Sequence, residues 1–596
     1  MKSLQIVILF FMFFLLGLNH SPAQTNAEKK IPKSQTLPPP VQTVKDTTVT
    51  KPQKERLELP DVLILGKAVN IRKPEHKMSF ARVSALNLKE LKVARTTSVP
   101  TSCNSPEQTP PFEPVTKDRT TGLEIRFGTY NTTYLNFNHL QKINRFKLNF
   151  NSEYNRSDGQ FTNSRYETWL IDAKTEFQLT PQHTLYAGGN YLTKKYGLWT
   201  YAAYQRQYYI FDFFTGVKGN LSSGLKYQFR YAVNKTPLQK NIEIDPPVNN
   251  LILNRENNQD LSGVLTYRST DWQLQLQGKV LFNNYYPYLS GEPVVNTAGN
   301  LLPTVKNRFS TLQLAFKRYL PQKGFITFGA LYNFYQLDAF NKKASRLNPF
   351  VKLGWLLSPR WRVYTKYAPH YKFITNHELL TLNPFYYTES SHNPVEDYRQ
   401  SFDIGAEWIP FAYGSIRFTY QYRSIENLLI WQSSYEPTWQ RVTPENLFKL
   451  HGLEKVHLSW LKIDLSMGNL QPFRLHTTLT FLNSGIDALS SSYQAITPTG
   501  DIPYFEDVSW PVEFLYRLGK NWTASIITDY FGSRTFSLLT TEKGKSIMLL
   551  NAKIEYKING LSFYLFARNL LDQKYRIWQN YPETGAQIFT GIETKF

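Results

Sequence analysis

The chain has 596 residues, 15% of them aromatic, and a formal net charge of +22. That length allows several soluble domains, but no second long apolar run follows the N-terminal one, which argues against helical membrane spans. The single cysteine, Cys103, excludes an internal disulfide framework and a cysteine-based zinc site. The basic balance carries no stripe of cations interleaved with stacking aromatics, so no nucleic-acid partner is expected.

Lys2 is a short positive start, and residues 6–18 form an apolar run too short to span a bilayer with comfort. Ser21-Pro22-Ala23 places small residues before a cleavage point at Gln24, so residues 1–23 read as a signal peptide. No cysteine follows that run, which argues against a lipoprotein anchor.

Residues 24–56 are rich in Pro, Thr, Lys and Gln and poor in apolar groups, the composition of an extended, disordered linker. Residues 57–121 read as a short periplasmic tail. A brief apolar run interrupts it, in which Leu59, Asp61, Val62, Leu63, Ile64 and Leu65 form an extended segment able to add to a partner's sheet edge. Residues 96–114 return to low complexity.

From Gly122 the texture becomes alternation. Ile416, Phe418, Tyr420 and Tyr422 share one face against Arg417, Thr419, Gln421 and Arg423. Trp272, Leu274, Leu276 and Val280 oppose Gln273, Gln275, Gln277 and Lys279. This half-buried strand signal recurs to the C-terminus, and no long helix interrupts it. Long polar connections are expected at 236–259, 284–306, 369–397 and 484–509, with short turns elsewhere. The last strand puts Ile588, Thr590, Ile592, Thr594 and Phe596 on one face and stops on an aromatic residue, as the closing strand of an outer-membrane barrel does. The reading is therefore all-β: residues 122–596 as a transmembrane antiparallel β-barrel of about 22 strands. Its outer face would meet membrane lipid, with both termini on the periplasmic side.

Chemistry is sparse. The ten histidines are scattered, and His370 and His377 lack carboxylates at ligand spacing. No nucleophile, base and orienter come together, and no Walker or dinucleotide glycine pattern is present. Neither a cofactor, a metal nor an enzymatic activity is expected.

The stretch Asn569-Leu570-Leu571-Asp572-Gln573-Lys574-Tyr575 resembles the near-terminal motif of TonB-dependent outer-membrane receptors, in which Asn569, Leu570, Asp572 and Tyr575 are the matching positions. In that family it is a structural turn ahead of the closing strand. Phe350–Trp355, Arg362–Tyr367, His377–Leu380 and Glu396–Glu407 agree with the order of strand, substrate-side loop and next strand in those receptors, and the texture resembles proteins of the Bacteroidota. The resemblance implies a TonB-box-like role for Leu59 and Asp61 through Leu65, but the glycine-rich core of a full plug domain is missing from residues 57–121. It implies solute uptake across the outer membrane, with TonB or another periplasmic protein, and a surface lipoprotein, as candidate partners. Arg417, Arg423 and Lys279 point to an anionic or aromatic-stacking substrate. The alternative is a plug-less barrel serving as a scaffold or interaction subunit of an outer-membrane complex.

Overall fold

The computed structural model describes residues 119–596, apart from 162–163, 198–204, 237–239, 243–251, 290–291, 294–304, 321–322, 384–393, 412–413, 434–447, 469–471, 489–500, 539–542 and 580. The expected signal peptide, linker and TonB-box-like segment lie outside the described residues.

Alternation becomes architecture directly. One antiparallel sheet contains twenty-five strands, of which Lys240–Ile242, Glu292–Pro293 and His370–Phe373 are short pieces. The other twenty-two form a closed ring. The first strand, Arg119–Gly128, begins ahead of the expected Gly122 and pairs with the last, Gln587–Lys595, in register from Gly122↔Lys595 to Gly128↔Phe589. Two backbone bonds finish the seam: Thr121 N–H donates to the Phe596 carbonyl at 2.7 Å, and Phe596 N–H donates to the Thr121 carbonyl at 2.9 Å.

The two faces of the wall differ as lipid and water require. Leu123, Phe127, Leu135, Phe137, Ile588 and Ile592 stand exposed on the outside, and Phe596 is 68% exposed. Glu124, Arg126, Glu153 and Asn155 turn inward and are buried. At the seam the inward Tyr564 hydroxyl donates to Glu124 Oε1 at 2.5 Å. Gly591 leaves room for that phenol: a Cβ there would collide with the Tyr564 ring and sit 2.9 Å from the Ile125 carbonyl oxygen.

Connections sort by end. Turns such as 144–145, 181–182, 359–360 and 559–560 lie at one end, together with Arg119 and Phe596. Trp272, Trp361 and Trp522 each open a strand at that end and pack on Tyr267, Trp408 and Tyr556, with ring centroids 5.0, 5.8 and 4.7 Å apart. They form one aromatic girdle. At the other end strands run past the bilayer: Gly414–Ser433 and Phe448–Met467 have 20 residues each, whereas about 9–11 suffice to cross. Ile252–Arg268 and Trp272–Leu289 likewise take in residues that read as connection in the sequence. Beyond the lipid both faces meet polar surroundings, so these stretches pair as strand without an apolar–polar alternation to announce it.

Removing Phe596 takes away one seam donor, one seam acceptor and the outward aromatic anchor. The folded fraction, read as heat-modifiable gel migration of freshly assembled protein, should fall well below that of the full chain, while protein already folded stays folded.

Candidate functional site: the occluded mouth

A ring of twenty-two strands encloses a lumen too wide for wall side chains to fill. In this chain the long-loop end fills it instead. Among the described residues the one α-helix, Asn376–Leu382, lies in the connection between Trp361–Tyr367 and Val395–Phe411. Its start is written locally: the Thr375 hydroxyl accepts from Glu378 N–H, and the Glu378 carboxylate accepts from Thr375 N–H, a reciprocal capping box. Leu379 and Leu380 are buried and pack with Ile374 of the same connection and with Leu429, Trp431 and Leu450 of one wall.

The helix is tied to a distant wall as well. Glu256, in Ile252–Arg268, accepts from Asn376 N–H at 3.0 Å and from His377 N–H at 2.9 Å. The Tyr208 hydroxyl donates to the Leu380 carbonyl at 3.3 Å, and Asn234 Nδ2 lies 2.9 Å from His377 Nδ1. Tyr208 belongs to the sixth strand of the ring and Leu450 to the sixteenth, close to opposite. The helix therefore crosses the lumen.

A second obstruction lies beside it. Tyr196, Tyr208 and Ile210 from one wall join Phe448, Ile547 and Leu549 from the other in a single buried cluster. Connection residues Tyr504, Phe536, Tyr575, Ile577, Trp578 and Tyr581 fill the space between them. Phe448 and Tyr504 approach Trp578 at centroid distances of 5.0 and 5.1 Å, and Trp431 meets it edge-on at 5.9 Å. Aromatic contacts of this kind add about 0.5–1.5 kcal/mol each beyond area burial, enough in number to order the connections that make them.

The near-terminal motif shapes one of those connections. Asn569 Nδ2 donates to the Gln573 carbonyl at 3.0 Å and the Thr584 carbonyl at 3.2 Å, and its Oδ1 accepts from Gln573 N–H at 3.1 Å. Asp572 Oδ1 accepts from Ala586 N–H at 2.8 Å. Both residues take positive φ, +49° and +47°, which Asn and Asp tolerate. Leu570 points outward, 45% exposed, and Tyr575 points into the aromatic cluster.

A buried carboxyl and a buried guanidinium sit beside this cluster. Glu583 is buried, and burial pushes its carboxyl up to about 8 against the pull of Arg568 and Arg534. Arg534 is equally buried; its guanidinium nitrogens have no hydrogen-bond partner among the described residues, and burial draws it down to about 10.

The lumen-facing cations singled out in the sequence do not create a basic funnel. Arg423 is fully buried against Asp403, Arg417 meets Glu407 at 3.0 Å, and Lys279 meets Asp260 at 2.7 Å. Each is neutralised by a neighbouring strand, so the charge argument for an anionic substrate loses its footing. His370 stacks on Tyr398 at 4.6 Å, while His377 is taken up by the helix latch; among the described residues no three His, Cys, Asp or Glu side chains converge on a metal position.

No family model and no curated protein matches the chain. Solved structures do. The FrpB iron transporter from Neisseria meningitidis (F5-1 variant) superposes with a TM-score of 0.64 at 12% identity, over 80% of this chain and 82% of that one. The siderophore receptor PiuA from Acinetobacter baumannii gives 0.60 at 11% identity, over 80% and 82%. The copper transporter OprC gives 0.61 at 11% identity, over 80% of each chain. The fold is that of outer-membrane receptor and transporter barrels. At such identities the likeness is one of fold.

Two outcomes follow from the plug. Glu256→Ala leaves two half-buried helix N–H groups without their acceptor, each costing up to about 1–3 kcal/mol; the helix connection should become protease-sensitive and reconstituted barrels should open more often. For Glu583 the folded pKa lies above the ordinary 4.5, so the folded state keeps a proton that the unfolded chain loses. Its contribution therefore weakens stability as pH rises from about 5 to about 8. Glu583→Gln should flatten the fall in melting temperature across that window.

Proposed function

We propose that this barrel takes up a solute across the outer membrane through a gated lumen. The observation that carries the reading is the helix Asn376–Leu382 held across the mouth by Glu256 on the far wall. A passive pore has no use for such a crossbar, whereas a gated one needs an element that can be released. The closed ring, the lipid-facing apolar exterior and the fold shared with an iron transporter, a siderophore receptor and a copper transporter support the same reading.

Opening a mouth packed with aromatics requires work from outside the barrel. The extended segment containing Leu59, Asp61, Val62, Leu63, Ile64 and Leu65 is our candidate for the handle: a TonB-like periplasmic protein would add it to a sheet edge through backbone hydrogen bonds. Leu63→Pro deletes one N–H from that ladder and restricts Val62. Uptake by intact cells should drop to the level of a strain lacking the barrel, with barrel abundance unchanged. Val62→Ala, which keeps the backbone, should stay within about twofold of the parent. Unimpaired uptake with Leu63→Pro would reject the handle. A barrel whose deletion leaves solute uptake by intact cells unchanged, yet which co-purifies with stoichiometric partners, would favour the interaction-subunit reading.

A further inference from the structure

Nine consecutive strands place an Asn or Asp at mutually paired positions. Asn138 faces Asn151, which faces Asp172, then Asn190, Asp212, Asn234, Asn258, Asn283 and Asn307. Directly paired residues of an antiparallel sheet share a face. The sequence neighbours Phe137, Phe211, Phe213 and Phe282 stand exposed outside, so this row faces the lumen. It is bracketed by Gly122 and by Leu337, the register partners of Asn138 and Asn307. A Cβ on Gly122 would stand 2.7 Å from Asn138 Oδ1, so the glycine gives that amide its room.

The row is a ramp. Asn138 lies five residues before its strand ends at Ile143, on the short-turn side. Asn307 lies thirteen residues before its strand ends at Leu320, on the same side. With strands rising about 3.3 Å per residue and tilted, the row climbs roughly 20 Å, from the lower lumen to the mouth.

Its two halves differ. In the upper half the amides bond to one another: Asn283 Nδ2 donates to Asn258 Oδ1 at 2.7 Å, Asn307 Nδ2 to Asn283 Oδ1 at 3.0 Å, and Asn234 Nδ2 to Asp212. The ramp ends at the crossbar, where Asn283 also donates to Glu256 at 2.5 Å and Asn234 meets His377. In the lower half Asn138, Asn151 and Asn190 are half-buried and make no side-chain hydrogen bond among the described residues. Two nearby cations are matched: Lys174 with Asp172 at 3.1 Å, and Lys218 with Glu176 at 2.7 Å.

We infer that this row is a solute track for a neutral, polyhydroxylated molecule of the oligosaccharide class, leading between the lower lumen and the gated mouth. The inference rests on the uptake reading above. Seven of the nine positions are amides, and an amide offers both a donor and an acceptor and carries no charge; with neighbouring positions one strand apart, about 4.8 Å, the row suits a chain of hydroxyls. The row's two carboxylates are already engaged, Asp172 by Lys174 and Asp212 by the Asn234 amide, which leaves little to offer an ion. Exchange of hydrogen bonds from one amide to the next lets such a solute move without leaving any polar group unsatisfied.

The test uses the purified full-length protein and maltotriose as probe, with citrate as the charged comparison. Isothermal titration should show maltotriose binding more tightly than citrate. The triple variant Asn138→Leu, Asn151→Leu, Asn190→Leu should lose at least about tenfold in maltotriose affinity while its heat-modifiable folded fraction stays that of the parent. Preference for citrate, absence of maltotriose binding, or unchanged affinity in the triple variant would overturn the track. So would loss of the folded form, since the row would then be a wall-stiffening ladder. Uptake by intact cells, where the periplasmic partner is present, separates the two claims: a barrel that binds maltotriose when purified, but whose deletion leaves solute uptake unchanged, sinks the uptake reading and leaves the track standing.

Discussion

The rest of this structure depends on one seam: the register of the first strand, Arg119–Gly128, against the last, Gln587–Lys595. Inside a bilayer an unpaired backbone N–H or C=O costs several kcal/mol, so a sheet can survive there only without edges. Closure decides which residue faces lipid and which faces water at every position of every strand, because a one-residue slip would exchange the two faces. The chain guards the seam with shape and polarity together. Gly591 vacates the space that the Tyr564 ring occupies, and the Tyr564 hydroxyl meets the Glu124 carboxylate, so a shifted register would bury both without partners.

Closing so many strands creates the second problem, a lumen that wall side chains cannot fill. The chain answers differently at different heights. Within the wall, cations and carboxylates pair between neighbouring strands, as Arg423 with Asp403 and Lys279 with Asp260. Such pairs satisfy the polar interior without drawing in ions. At the long-loop end, connections fold inward and bury aromatic surface against both sides of the ring. The mouth is thereby a small hydrophobic core suspended in a polar tube. Its weak points are the buried ionisable groups Arg534 and Glu583 and the carboxylate latch at Glu256.

The latch and the asparagine row form one connected hydrogen-bonded system. Asn283 bonds both to Asn258 within the row and to Glu256, and Glu256 holds the helix. A molecule that competes for the upper amides therefore competes with the bonds that support the crossbar. Coupling of this kind needs no long relay, because the occupied track and the gate share side chains.

The sequence by itself determined the fold class, the closing strand and the approximate number of strands, because alternation with period two is a local consequence of having lipid on one side and water on the other. It also contained the capping box of Thr375 and Glu378, a four-residue signal for the short helix, although nothing local says that the helix would cross a lumen. Only the tertiary structure decided the rest. Strand ends beyond the lipid carried no alternation and read as loop. Arg417, Arg423 and Lys279 looked like a positive lumen until register set a carboxylate beside each one. The nine Asn and Asp residues are scattered through the sequence at irregular intervals, and only the pairing of successive strands lines them up. Periodicity reports the environment of a single strand; which residues of different strands meet is fixed by register, and register is settled by the closure of the whole ring.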